Sequence, residues 1–498
     1  MQSDQTGNNV VRGTFWHKVI DQKFSNPFVL FFLLLFSLLS CFAVYQFGII
    51  GGGGILALII GLPAIYVITL YPKMGISILI IASFFISYVS EFLPDSVPIG
   101  TLLDGITYLL ILGLFIKQRK ERNWIWFKNP ISYIIIIWLA YNLCEALNPI
   151  SPSILAWVYT VRTVGFIMLM YFVFTYQIRS VTFIKFLFKL WLVLAAIASI
   201  SAFQQEKFGF FGFEKKWLYA DAGRVSLLFI EGHMRKFAIF SDPVTFSYNM
   251  VIASLLCISL ITGNLRLYKK IILGCMAFFF LYVMLFSGTR GAYVLIPAGL
   301  VMLAVLKFSK RVLIFSLIAG FFLGVLILMP TSNPLIKRFQ SAFRPTKDAS
   351  FNVRAENQKR IRPYILSHPI GGGLGSVGIW GRRFAPNSML AKFPPDSGYV
   401  RVAVEMGWIG LLLFCTLMFI VLYSGINYYY LIRDPELKTY SLAMILVIFA
   451  LNVGSYPQQA IVQYPTNILF YLAIAILVVC NRLDKEGRQK SAITVPDK

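Results

Sequence analysis

Four short stretches of this chain combine arginine, glycine and carboxylate in ways that could bind or react with an anion. Arg290 sits in Ser287-Gly288-Thr289-Arg290-Gly291, between two apolar runs. Glycines on both sides let the backbone turn sharply and leave the guanidinium unobstructed. An arginine held at membrane depth is costly unless it meets an anion, so Arg290 is a candidate anion-binding residue. The plainer alternative is a side chain snorkelling to lipid phosphates. Arg235 stands ahead of Phe240-Ser241-Asp242-Pro243, which leads into an apolar run near Val244. Arg354 precedes a short amphipathic stretch, Ile361 to Gly375, that ends in His368-Pro369 and four glycines within five residues. Those glycines lack a Walker lysine and a preceding strand, which makes a nucleotide loop a weak reading.

The fourth stretch runs from Asp396-Ser397 into another apolar segment, with Arg401 and Glu405 four residues apart and able to pair on one helical face. Asp396 is a carboxylate at the end of a basic loop, able to accept a proton or orient a hydroxyl. A cap on the helix that follows is an equal alternative. The candidate catalytic set is therefore Asp396, Arg290 and Arg235. Arg224, Arg354, Arg382, Arg383, Tyr399, Arg401 and Glu405 form the candidate substrate-binding set. His17, His233 and His368 show no ligand spacing, and neither DxD nor HExxH occurs. No metal and no cofactor is expected.

The elements that must position these residues are membrane helices. Of 498 residues 58% are hydrophobic and 13% charged, at a mean hydropathy of +0.73. A water-soluble fold could not bury so many apolar side chains. Apolar runs of about 20 residues exclude a transmembrane β-barrel, whose strands alternate and are about half as long. The sequence thus predicts an all-α polytopic membrane protein with about 14 transmembrane helices. They fall near 27–47, 50–71, 74–93, 99–116, 126–146, 157–176, 184–202, 243–263, 271–287, 292–306, 312–329, 401–424, 439–455 and 466–481. Cys41, Cys144, Cys257, Cys275, Cys415 and Cys480 lie in or beside these runs, without a CxxC pair, and read as small core residues.

Short connections split by charge. Lys117 to Arg122, Arg266 to Lys270, Lys307 to Arg311 and the tail from Arg482 to Lys490 fall on one side; Glu91 to Asp95 and Asn148 to Pro152 fall on the other. The positive-inside rule makes the basic side cytoplasmic, with both termini inside. The segments are then a cytoplasmic N-terminus (1–26), N-terminal helices (27–202), a first long periplasmic loop (203–242), helices carrying the Arg290 turn (243–329), a large basic periplasmic loop (330–400), C-terminal helices (401–481) and a cytoplasmic tail (482–498). The formal net charge is +24, from 45 Lys and Arg against 21 Asp and Glu. Part of it only orients helices. The second long loop, however, carries eleven basic residues against three acidic ones from Pro330 to Ser397, on the side where orientation asks for little positive charge. A solvated surface is one explanation, and a site for an anionic headgroup or lipid pyrophosphate is the other.

In order and spacing the four stretches resemble the O-antigen ligase and polymerase superfamily, and Asp396-Ser397 is followed by nine residues and then Gly407-Trp408-Ile409-Gly410 as in that family. The resemblance covers about residues 230–420. It implies a GT-C-type architecture in the bacterial inner membrane and a glycosyltransferase whose site faces the periplasm. The implied donor is a glycan on undecaprenyl pyrophosphate, the other partners are a glycan acceptor, membrane lipids and a chain-length regulator, and no nucleic acid is involved. Ligases of the family carry His before the nine-residue spacer, whereas this chain has Asp396 there. That departure favours a repeat-unit polymerase making O-antigen, capsule or exopolysaccharide over a ligase acting on lipid A-core or protein. The expected reaction is metal-independent and inverting, with Arg235 and Arg290 neutralising the departing diphosphate. A flippase for lipid-linked oligosaccharide is the alternative from another class; it would more often show repeated halves and midplane charges.

Overall fold

The computed structural model describes residues 27–93, 99–230, 232–332, 334–343, 349–394 and 396–493. The expected cytoplasmic segment 1–26, Pro94 and Asp95 of an outer turn, Arg344, Lys347 and Asp348 of the basic loop, and residues 494–498 of the tail lie outside the described residues.

The chain divides into two compact units, Met1–Val67 and Ile68–Lys498. The first contains most of α1 (Pro27–Leu70), which is kinked at Gly48. Its stretch Pro27–Gly48 is apolar and has no buried residue, as suits a lipid-facing helix.

In the second unit helices succeed one another with short connections. They are α2 (Pro72–Ser90), α3 (Gly100–Glu121), α4 (Pro130–Cys144), α5 (Ile154–Met168), α6 (Met170–Gln177) and α7 (Val181–Lys207). After the first long connection come α10 (Pro243–Ile261), α11 (Leu267–Met284), α12 (Arg290–Leu306) and α13 (Lys310–Leu328). After the second come α17 (Gly398–Leu431), α18 (Pro435–Gly454) and α19 (Thr466–Ile493). Among the described residues twelve helices are long and apolar enough to cross a membrane. Two shorter ones, Gly54–Leu70 and Arg290–Leu306, coincide with the remaining apolar segments. The fold is an all-α polytopic membrane protein.

Local sequence sets where helices begin. Asn129, Asp242 and Asp434 each accept backbone N–H bonds at an N-cap, and each is followed by proline at the first helical position. There its missing N–H is not needed and its φ is already helical. The centre of the unit is α10, α18 and α19, with 83%, 72% and 89% of their spans buried in protein. Only 6% of α13 is. An apolar helix exposed on nearly every side needs lipid around it.

The two long connections are folded rather than irregular. Helix α7 runs to Lys207, past its expected end. It is followed by α8 (Gly212–Tyr219), α9 (Ala222–Leu228) and a two-stranded hairpin, β1 (Phe229–Ile230) with β2 (His233–Met234). Leu218, Leu228 and Phe237 give this segment a small core of its own. The basic loop contains α14 (Pro334–Ser341), α15 (Ala349–Ser367) and α16 (Gly378–Phe384). Ile361, Val377, Leu390 and Phe393 pack with Val404 and fasten that loop to the start of α17. The cysteines correct one expectation, because only Cys257 and Cys480 are buried. The other four are exposed on helices whose outer surface is apolar, where a thiol is tolerated by lipid as readily as by a core.

The glycine run after His368 makes contact instead of cradling a ligand. Gly372 N–H donates to Val404 O (2.9 Å), Ile409 N–H to Pro369 O (3.2 Å) and Asn148 Nδ2 to Ile370 O (3.1 Å). Gly407, non-helical at φ 68°, kinks α17 where Pro369 presses on it. Gly371 has φ 72°, and a Cβ there would lie 2.6 Å from the Glu405 carbonyl carbon. Gly371→Ala should combine about 1–2 kcal/mol of backbone strain with overpacking of similar size. We expect a clear fall in the thermal midpoint of the detergent-purified protein by size exclusion after heating. Gly105→Ala, inside α3 with nothing within 4 Å of the added Cβ, should not lower it.

Candidate active site at the Ser287 to Gly291 turn

Helix α11 closes in a tight turn, Leu285–Ser287, and Gly288 reverses the chain at φ 58° before α12 begins at Arg290. Ser287 Oγ donates to Met284 O (2.7 Å) and accepts from Thr289 N–H (3.1 Å). Gly291 has a different duty from the one its position suggested. It lies inside α12, where a Cβ would come within 2.9 Å of the Tyr248 hydroxyl, so it permits close packing rather than the turn.

Arg235 holds this turn to the hairpin segment. Its Nε donates to Ser287 O (2.7 Å) and its Nη2 to Thr289 Oγ1 (3.0 Å), while Thr289 Oγ1 donates to Pro243 O (3.1 Å). The next residue continues the seam, with Lys236 N–H donating to Phe286 O (3.0 Å). Burial, followed by the neighbouring Arg338, lowers the Arg235 guanidinium to about 10, against the pull of Asp242; it remains a cation at neutral pH. Arg338 comes from α14, whose Phe339 ring packs on Tyr293 at 5.0 Å, and its Nε donates to Gly288 O (2.7 Å). Three guanidiniums, of Arg235, Arg290 and Arg338, thus act electrostatically on one buried phenol, Tyr293.

Beside the turn is a cavity of about 550 Å³. Arg290, Arg354, Tyr399, Asn452 and Tyr456 supply its polar side. Val294, Leu295, Phe449 and Val453, one turn or so further along α12 and α18, supply an apolar side. The Tyr399 hydroxyl donates to the Asn452 side chain. Asp396 is exposed, with Oδ2 at 4.0 Å from Arg354 Nε. The capping alternative for Asp396 fails, because the helix cap is Ser397, whose side chain accepts from Val400 N–H.

The other candidates lie elsewhere. Arg401 Nε pairs with Glu405 Oε1 (3.2 Å) and its Nη1 donates to Gln459 Oε1 (2.7 Å). Both line a separate, narrow cavity of about 80 Å³, and buried Glu405 lies beneath the glycine run. This pair braces α17 against the loop before α19. Arg224 belongs to the interior of the first long segment: its guanidinium stacks on Trp217 at 4.4 Å and donates to Trp217 O (2.9 Å). Nearby Glu91 has its carboxyl pushed up to about 8 by burial and by Glu214, partly offset by Arg224. Arg382 and Arg383 are exposed on α16, where Arg383 lies over the Phe384 ring at 5.5 Å. Neither lines the cavity. His368 serves its turn, stacked on Tyr364 with Nδ1 at 2.9 Å from Tyr364 O.

Sequence reasoning did not single out Arg338, Asn452 or Tyr456. Arg338 was one of eleven loop cations with no spacing to distinguish it; Asn452 and Tyr456 were visible only as polar residues closing an apolar run. The shared hydroxyl of Thr289 generates a test. Thr289→Val strips the partner from Arg235 Nη2 and from Pro243 O, which should cost about 1–3 kcal/mol. The expected result is a lower thermal midpoint, recovered by Thr289→Ser.

Comparison with known proteins falls on the same region. A family model described as O-antigen ligase matches residues 275–415. The matched stretch runs from α11 to α17 and holds Arg290, Arg338, Arg354 and Asp396, with Arg235 ahead of it. An O-antigen polymerase of Salmonella muenchen is 24% identical over 335 residues, covering 64% of this chain and 80% of the relative. Over these stretches the chain is similar to the O-antigen ligase and polymerase superfamily.

Proposed function

We propose that this protein is an inner-membrane glycosyltransferase. It joins oligosaccharide repeat units carried on undecaprenyl pyrophosphate, at the periplasmic face, into O-antigen, capsule or exopolysaccharide. The observation that carries the reading is the two-sided cavity: the Arg290 and Arg354 guanidiniums on one wall, with the Asp396 carboxylate 4.0 Å from Arg354, and apolar side chains of α12 and α18 on the other. That pairing suits a diphosphate attached to a polyprenyl chain. The similarity to an O-antigen polymerase and the charge split of the short loops support the substrate class and the orientation.

In the proposed reaction an acceptor sugar hydroxyl attacks the anomeric carbon of the donor. The carbon–oxygen bond to the diphosphate breaks, and undecaprenyl pyrophosphate leaves with the bonding electrons. Attack from the opposite face inverts the configuration. Asp396 takes the hydroxyl proton, and Arg354 at 4.0 Å orients its carboxylate. Charge grows on the leaving diphosphate, and Arg290 faces it as a preorganised donor while Arg235 and Arg338 hold the turn that aims it. A planar guanidinium can bind two phosphate oxygens at once, which lysine cannot reproduce.

Ligation of a finished glycan to lipid A-core or protein is the second reading, favoured by the description of the matching family. Gel analysis of surface polysaccharide from cells lacking the gene separates the two. Single repeat units on the lipid acceptor indicate lost polymerisation, and polymer accumulating on the carrier indicates lost ligation. Arg290→Ala should give the single-unit pattern with protein level in the membrane unchanged, a rate loss on the order of 10²–10³ being typical for one such donor. Wild-type chain lengths in that variant would sink the assignment. Asp396→Asn should lower transfer by about 10²–10⁴, the usual range for a general base. Normal activity across pH would leave Asp396 as a mere partner of Arg354.

A further inference from the structure

A second cavity lies at the other end of the same helices. Helix α10 ends at Ile261, α11 begins at Leu267, α12 ends at Leu306 and α13 begins at Lys310. Since α11 leads to the Ser287 turn and α12 leads away from it, these four ends share the membrane face opposite Arg290. Between them is a space of about 690 Å³. Its charged lining is Lys270, Lys307, Lys310 and Arg311, and no carboxylate is among the described lining residues. Ile258, Ile261, Leu303, Val312 and Phe315 make up most of the remaining wall.

Two details separate this cluster from an ordinary row of orienting cations. Lys307 does not reach away into solvent: its Nζ donates to Thr262 O (2.6 Å), holding the ammonium at the cavity. Burial lowers its pKa, and Lys270 and Lys438 lower it further by repulsion. Gathering like charges beside apolar surface is unfavourable until an anion joins them. The apolar wall is reached from the side through α13, a helix with only 6% of its span buried and with Phe315 exposed. A free anion would use the cations and ignore that wall, whereas a lipid uses both.

We propose that this cavity binds the phosphate headgroup of an acidic membrane lipid, with its acyl chains along Val312 and Phe315. Four cations draw the phosphate, and α13 is the side on which the lipid enters. The site is separate from the transfer cavity and stands or falls independently of the transferase reading.

The test uses the purified full-length chain, delipidated and mixed with equal amounts of phosphatidylglycerol and phosphatidylcholine, with retained lipid read by native mass spectrometry. Wild type should retain phosphatidylglycerol preferentially. Near a membrane surface each cation contributes about 5-fold, so Lys310→Gln with Arg311→Gln should cut the preference on the order of 20-fold. Both side chains are exposed, so the thermal midpoint in phosphatidylcholine should match wild type. Lys270→Gln should weaken retention from the other wall, and the charge-keeping pair Lys310→Arg with Arg311→Lys should preserve it. Equal retention of the two lipids by wild type overturns the proposal, as does an undiminished preference in the double variant. Displacement of phosphatidylglycerol by millimolar inorganic phosphate also overturns it, because the occupant would then be a free anion.

Discussion

The site hangs on a seam of short bonds between two stretches fifty residues apart. Arg235 and Lys236 are stitched to Phe286, Ser287 and Thr289 through two backbone carbonyls and one hydroxyl. Without that seam the turn after α11 would be a loop tip between helices, held from outside only by Arg338 at Gly288. The bonds matter more for being partly buried, since a guanidinium in such a place must have its donors satisfied or pay heavily for desolvation. Arg338 closes the turn from the opposite side through the Gly288 carbonyl. Two arginines are therefore employed in holding a third, and their positive charge is a by-product that makes the whole turn attractive to phosphate.

Two contrasting supports surround this seam. On one side, α10 and α18 are among the most enclosed helices of the molecule and provide a rigid floor. On the other, the basic loop is anchored by apolar contacts at α15 and α17 and by glycines pressed against the kink at Gly407. The loop can thus present Arg354 to the cavity, with Asp396 beside it, from a fixed base. Backbone meets backbone at Gly371 and Gly375, while Gly372 and Gly373 leave room for the side chains of Leu390 and Ser151.

Much of this was legible in the sequence for physical reasons. Apolar runs of helix length must be helices in lipid, since nothing else satisfies the backbone there, and all fourteen expected segments are helical. The turn around Arg290 was legible because glycine, threonine and arginine between two such runs leave few other conformations. Less legible was which cations converge. Arg224, Arg382 and Arg383 have the same side chain as Arg338, yet Arg224 engages Trp217, Arg383 engages Phe384 and Arg382 is exposed on α16. Convergence depends on the packing of Phe339 on Tyr293 and on the fold of the two long segments, which spacing along the chain does not encode. Arg401 and Glu405 pair as their spacing implied, but tertiary packing turns that pair inward to Gln459 instead of toward the cavity.

Helix α12 has 17 residues, with Arg290 at one end and Lys307 just past the other. At 1.5 Å per residue it is about 25 Å long, shorter than a typical hydrocarbon layer of about 30 Å. The bilayer must thin beside it, or its ends must lie below the surrounding headgroups. On the proposed reading, either arrangement would bring the diphosphate of a carrier lipid to Arg290 with little water between them. Hydrophobic mismatch in one short helix thereby lowers the local dielectric around the guanidinium and strengthens its hold on an anion.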